Sequence, residues 1–133
     1  MENQDLKNHV KSIADDMHNG AQAPFCFHCG EYRHDEITCH DCHEPLVEVM
    51  MDGFDYISDA LDFEFILSSD KTLIGARILV AFGGPNIWID TTKQTVEGHW
   101  WDDSFTESYN RDEMDIEGAC RVLASLTKWF GCA

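Results

Sequence analysis

The sequence predicts an α+β fold: an antiparallel four-stranded β-meander packed by a C-terminal helix, preceded by an acidic helix and a small cysteine module. Three observations predict it. Short β-rich runs broken by turn residues fill 63–101, an apolar seam at helical spacing closes the chain, and two CxxC pairs crowd residues 26–42. The organisation reads as an N-terminal helix and linker (1–22), a cysteine module (23–45) and an α+β domain (46–133).

In residues 1–22, Leu6, Val10, Ile13 and Met17 step by 4, 3 and 4, which makes one narrow apolar seam of a helix. Asn19-Gly20 is a C-terminal stop, and 21–24 reads as a connector. So thin a seam cannot stabilise a helix alone, so the helix must dock.

Between Glu44 and Asp62 the acids Glu44, Glu48, Asp52, Asp55, Asp59 and Asp62 recur at steps of 4, 4, 3, 4 and 3, which is one face of a helix. The apolar set Val47, Met50, Phe54, Ile57 and Leu61 takes the opposite face, and Pro45 suits the first helical position. Gly53 and the alternation of Val47, Val49 and Met51 argue against the first turns of this helix, which could instead be a strand leaving the cysteine module, so the helix reads most clearly over 54–62.

Four strands are expected next. Phe63, Phe65 and Leu67 alternate before the turn 68–71, and 73–82 is a long β-rich run ending at a Gly83-Gly84-Pro85 bend. Residues 87–90 and 95–101 form a hairpin around 91–94. The final helix is expected to take Asn110 as N-cap with Glu113 three residues on, and to bury Ile116, Cys120, Leu123, Thr127 and Phe130 until Gly131 ends it.

Cys26-Phe-His-Cys29 and Cys39-His-Asp-Cys42 are separated by nine residues. Each pair forms a tight turn that aims two thiolates at one point, and two such turns complete a tetrahedron around Zn²⁺. Cys26, Cys29, Cys39 and Cys42 are therefore the expected ligands. With its CxxCG…CxxC…PL layout, the segment resembles a short zinc ribbon, which implies a fold element and no particular activity. Four thiolates leave no open position, so the zinc is structural. His28, His34, His40 and His43 lie in the same segment, and one of them could replace a cysteine. Cys39 to His43 also matches the CxxCH haem pattern, but that chemistry needs an export context and leaves Cys26 and Cys29 unexplained. A dithiol redox centre would need a βαβ setting. Cys120 reads as core and Cys132 as a free tail thiol.

The chain of 133 residues carries 25 Asp+Glu against 9 Lys+Arg, a formal charge of −16. That balance argues against direct nucleic-acid or anionic-membrane binding and favours a basic protein partner. No apolar run reaches the roughly 20 residues of a membrane span, and the N-terminus has no apolar leader, so a cytoplasmic protein is expected. From His34 to Asp70 there is no Lys or Arg, and from Glu97 to Glu117 eight acids face only Arg111. The stripe on 44–62 would run about 27 Å, a scale similar to a DNA backbone. Trp100 and Trp101 are adjacent on a strand, so one should enter the core and the other stand exposed beside Asp102 and Asp103. The expected partner surface is Glu48, Asp52, Asp55, Asp59, Asp62, Trp101, Asp102 and Asp103.

No HExxH, GxSxG, P-loop or GxGxxG motif occurs, and His99 beside the tryptophans is the lone candidate base, so no enzyme is expected. Residues 77–101, with the core GGPNIWIDT…VEGHWW, resemble a signature of small phage and prophage accessory proteins. The resemblance implies an inhibitor of a host defence complex such as CRISPR, in the manner of a DNA mimic. The alternative is a zinc-ribbon adaptor between proteins.

Overall fold

The structure, a computed structural model, describes residues 4–33, 37–58 and 60–127. The chain runs α1 (Gln4–Asn19), β1 (Gln22–Cys26), β2 (Glu31–Tyr32), β3 (Val47–Met50), α2 (Gly53–Ile57) and β4 (Asp62–Leu67). It continues through β5 (Leu73–Ala81), β6 (Asn86–Asp90), β7 (Thr95–Trp100), β8 (Asp103–Ser108) and α3 (Ile116–Thr127). The fold is α+β, with a three-stranded sheet in the order β2-β1-β3 and a five-stranded meander in the order β4-β5-β6-β7-β8, all antiparallel. Among the described residues no helix is long and apolar enough to cross a membrane.

The four expected strands are present, and β8 adds a fifth. Its sequence DSFTES offers one apolar side chain, Phe105, so it carries no alternation that would mark a strand. Phe105 pairs with Gly98 on the core face, under Lys7 and Lys11 of α1, whose ammonium groups lie 5.4 and 5.8 Å from its ring.

One face of the meander presents Ala76, Ile78, Ile87, Ile89 and Val96, and the core closes over it with α1 and α3. The α1 seam of Leu6, Val10, Ile13 and Met17 is buried against β7 and β8, so this helix docks within its own chain. Gly98 permits the approach, since a Cβ there would lie 2.5 Å from Val10 Cγ2 and 2.7 Å from Leu6 Cδ1. Over the β5 part of the same face, α3 buries Ile116, Ala119, Cys120 and Ala124.

The capping of α3 differs from expectation. Asp112, not Asn110, receives the amides of Ile116 at 2.7 Å and Glu117 at 3.0 Å, and Asp115 accepts Gly118 N–H at 3.0 Å. Buried Tyr109 and Met114 draw 109–115 inward as a lead-in, which delays the helix by one turn and a half. The expected helix end at Phe130 and Gly131, and Cys132, lie outside the described residues.

The acidic helix over 44–62 does not form. Glu48 lies in β3, Asp52 caps α2, Asp55 lies within α2, and Asp62 opens β4, while Asp59 is outside the described residues. Pairing of 47–50 with β1 satisfies backbone groups along the Val47/Val49 alternation and overrides the helical period. Pro45 bridges to Thr38 instead of starting a helix. The connector expected at 21–24 is likewise strand, because residues 22–25 pair with β3. Helix α2 is one short turn, fixed by the Asp55 amide donating to Asp52 Oδ1 at 2.8 Å.

Candidate metal centre

Strand β1 delivers Cys26 into a tight turn in which Gly30 N–H returns to Cys26 O at 2.7 Å. The amide of Cys29 also points at Cys26 Sγ, at 3.4 Å. The second turn repeats this geometry, with His43 N–H donating to Cys39 O at 2.7 Å. Each turn needs a left-handed residue four places after its first cysteine, and Gly30 (φ 73°) and His43 (φ 64°) occupy those places. His43 therefore completes the second turn through its backbone. Bonds from Cys39 N–H to Glu44 O at 2.9 Å and from Leu46 N–H to Ile37 O at 3.0 Å clamp that turn onto a small ladder.

The two turns face each other. Cys26 Sγ lies 3.5 Å from Cys42 Sγ, Cys29 Sγ lies 3.9 Å from Cys39 Sγ, and all four sulfurs fall within 4.8 Å of one another. A tetrahedron with Zn–S bonds of 2.3 Å requires sulfurs about 3.8 Å apart, so the set fits a four-coordinate ion. The separations are too long for disulfides, whose sulfurs lie about 2.05 Å apart. Cys26 and Cys39 are fully buried, Cys42 is half-buried and Cys29 is exposed. His28, His40 and His43 are exposed and stand outside the sulfur set, with His40 beside Asp41 at 3.3 Å. His34 lies outside the described residues.

The thiols are unequal. Cys39 is pulled down to about 6, chiefly by the backbone N–H of Cys42, against the cost of burial and with help from Asp41 N–H and the Arg33 guanidinium. Cys29, though exposed, is pushed up to about 12, chiefly by its hydrogen bond with Cys42. Four crowded thiols cannot all ionise unaided, and a divalent cation held among them would supply the missing positive charge. Outside this set, Cys120 is 2% exposed in α3 and burial pushes its thiol up to about 12, as expected of a core cysteine.

The expected partner residues separate into two places. Glu48, Asp52 and Asp55 lie at the junction between the three-stranded sheet and α2, where Tyr32 Oη donates to Asp55 Oδ2 at 2.9 Å. Asp62, Trp101, Asp102 and Asp103 lie at one end of the meander, where β4 begins and the β5–β6 and β7–β8 turns project. Trp100 ends β7 and packs half-buried against the core. Trp101 is not in the strand. It occupies the two-residue β7–β8 turn at φ 58° and is 91% exposed. Phe82, 70% exposed on the neighbouring turn, joins that end. It read as the last residue of an apolar strand, so sequence reasoning missed its exposure. His99 is exposed on the sheet face opposite the helices, between Asn86 and Ser104 on the adjoining strands. No family model, curated protein or solved structure matches the chain.

Proposed function

We propose that this is a non-enzymatic, zinc-stabilised acidic protein that binds a basic protein surface through the Trp101 end of its meander. Zinc suits a closed tetrahedral set of four thiolates, which leaves no open coordination position. Trp101 carries the binding reading. A bulky residue in the left-handed region costs about 1–2 kcal/mol, and glycine relieves that cost at no steric expense. Here the position holds a tryptophan that is 91% exposed and so gains little from burial within its own chain. Strain without compensating packing is characteristic of functional positions, and tryptophan is the residue most favoured as a buried anchor at interfaces. Asp62, Asp102 and Asp103 at the same end supply the negative rim that a Lys- or Arg-rich partner complements, with Phe82 beside it.

The more specific form of the proposal is a phage-type inhibitor that occupies the nucleic-acid channel of a host defence complex such as CRISPR. Its support is the GGPNIWIDT…VEGHWW resemblance together with the charge of −16. The continuous 27 Å helical stripe no longer supports it, because that helix does not form. What remains is a compact acidic and aromatic end suited to a local basic pocket.

The test is Trp101→Gly. The variant should melt higher, by about 1 kcal/mol of added stability, because the backbone strain is relieved. It should also lose capture of a salt-eluted basic protein from bacterial lysate and lose any protection of phage in a host with active CRISPR interference. If the stabilised variant captures the same protein and protects equally, the end is not the binding surface.

A further inference from the structure

Between Lys11 and Lys71 the chain contains one Lys or Arg, Arg33. Its placement is unusual. The side chain is only 13% exposed, and its Nε–H is buried with no hydrogen-bond partner. The backbone N–H of Arg33 donates to Pro24 O at 2.9 Å, which fixes the residue directly beyond β2, alongside the first cysteine turn. From there Nη1 reaches Glu31 Oε2 at 3.1 Å and Nη2 donates to Asp41 Oδ2 at 2.6 Å. Glu31 follows the first turn directly and Asp41 lies inside the second, so the guanidinium spans both. It also lies against the Cys39 and Cys29 sulfurs, which favour its charged form.

A buried N–H without an acceptor forfeits its hydration for nothing in return, and a buried cation needs counter-charge. Two exposed carboxylates hold the outer edge of this guanidinium, at 64% and 55% side-chain exposure, and leave the Nε edge unanswered. Four thiolates around one divalent ion carry a net charge of about −2. The Cys39 and Cys29 sulfurs beside the guanidinium, thiolates in the loaded centre, are acceptors of the kind its unanswered edge lacks.

We propose that Arg33 is the counter-cation of the metal centre, donating to its thiolate sulfurs and raising the affinity of the four cysteines for zinc. The inference rests on reading those cysteines as a zinc site. Arg33 is a positioning residue, since it acts on the metal through the sulfurs. It makes the one cation of a 59-residue acidic stretch, 12–70, serve the site that needs it most.

The experiment is zinc titration of the full chain against a chromogenic chelator, with the Co²⁺-loaded absorption spectrum as second readout. Arg33→Gln should lower zinc affinity about 10–100-fold, the range of other outer-shell losses. It should also shift the sulfur-to-cobalt charge-transfer band. Arg33→Lys, which keeps the charge but loses the fork, should fall between. The double variant Glu31→Gln/Asp41→Asn keeps Arg33 and removes only its carboxylate partners, so it should bind zinc at least as tightly as the parent. Parent-like affinity in Arg33→Gln overturns the proposal. So does a double variant that loses as much as Arg33→Gln, because Arg33 would then act only as a strap between the turns. A parent chain that takes up neither zinc nor cobalt overturns the zinc reading itself.

Discussion

Asp16 shows how single side chains here are set by their surroundings. It lies in α1 and accepts the Tyr56 hydroxyl at 2.8 Å, which ties α1 to α2. Burial raises its carboxyl above the ordinary value, the Tyr56 hydrogen bond opposes the shift, and the Asp15 charge adds to it. A carboxyl raised by folding makes its stabilising contribution below the unfolded value, about 3.9, and loses it as pH rises through the folded value. At neutral pH the ionised Asp16 therefore works against the fold. Asp16→Asn keeps an acceptor for Tyr56 and removes the charge, so it should raise the melting temperature at neutral pH and converge with the parent in acid. Thermal melts across pH check this, and a lower neutral melting temperature would count against it. At this scale the cysteines were legible because a CxxC turn is local chemistry. Arg33 was not, because its significance depends on sulfurs that only the fold brings beside it. Trp101 was half legible: its exposure followed from adjacency to Trp100, but its left-handed backbone follows from a hairpin that closes in two residues.

The elements were legible where one periodicity acted alone. The α1 seam and the strands β4 to β7 fall where alternation and turn residues place them. The stretch 44–62 carried two periods, and strand pairing with β1 prevailed over 47–50 while only Gly53–Ile57 turned helical. Gly53 looked like an argument against helix, yet it begins α2 for a steric reason. A Cβ there would sit 2.6 Å from Asp115 O and 2.9 Å from Met114 O, both backbone atoms leading into α3. Helix propensity alone favours alanine over glycine by about 1 kcal/mol. Gly53→Ala should instead destabilise by about 1–3 kcal/mol, since backbone cannot move aside as a side-chain tip can. Denaturant unfolding decides the sign, and a gain in stability would show that the α2–α3 contact is looser than described.

At the scale of the molecule, the cysteine module meets the rest of the fold at few points. Ala21 N–H points at Met114 Sδ at 3.4 Å, Tyr32 meets Asp55, and Ala21 and Met51 pack half-buried on the core. The three-stranded sheet buries few large side chains: Phe25 packs on Phe27 and Tyr32, with Phe27 69% exposed and Val47 and Met50 each 50% exposed. So little apolar burial cannot offset the ordering of the two cysteine turns, which is the usual circumstance in which a small module depends on its metal. The meander, with α1 and α3 over its core face, has no such need. Metal removal should therefore disorder 22–50 and leave the meander folded, which amide exchange resolves. The most direct measurement is the zinc content of the chain purified without chelator. One equivalent of zinc, lost on chelation together with amide protection in 22–50, is the predicted result. Less than one equivalent, or a cysteine module whose protection survives complete removal of metal, would contradict it.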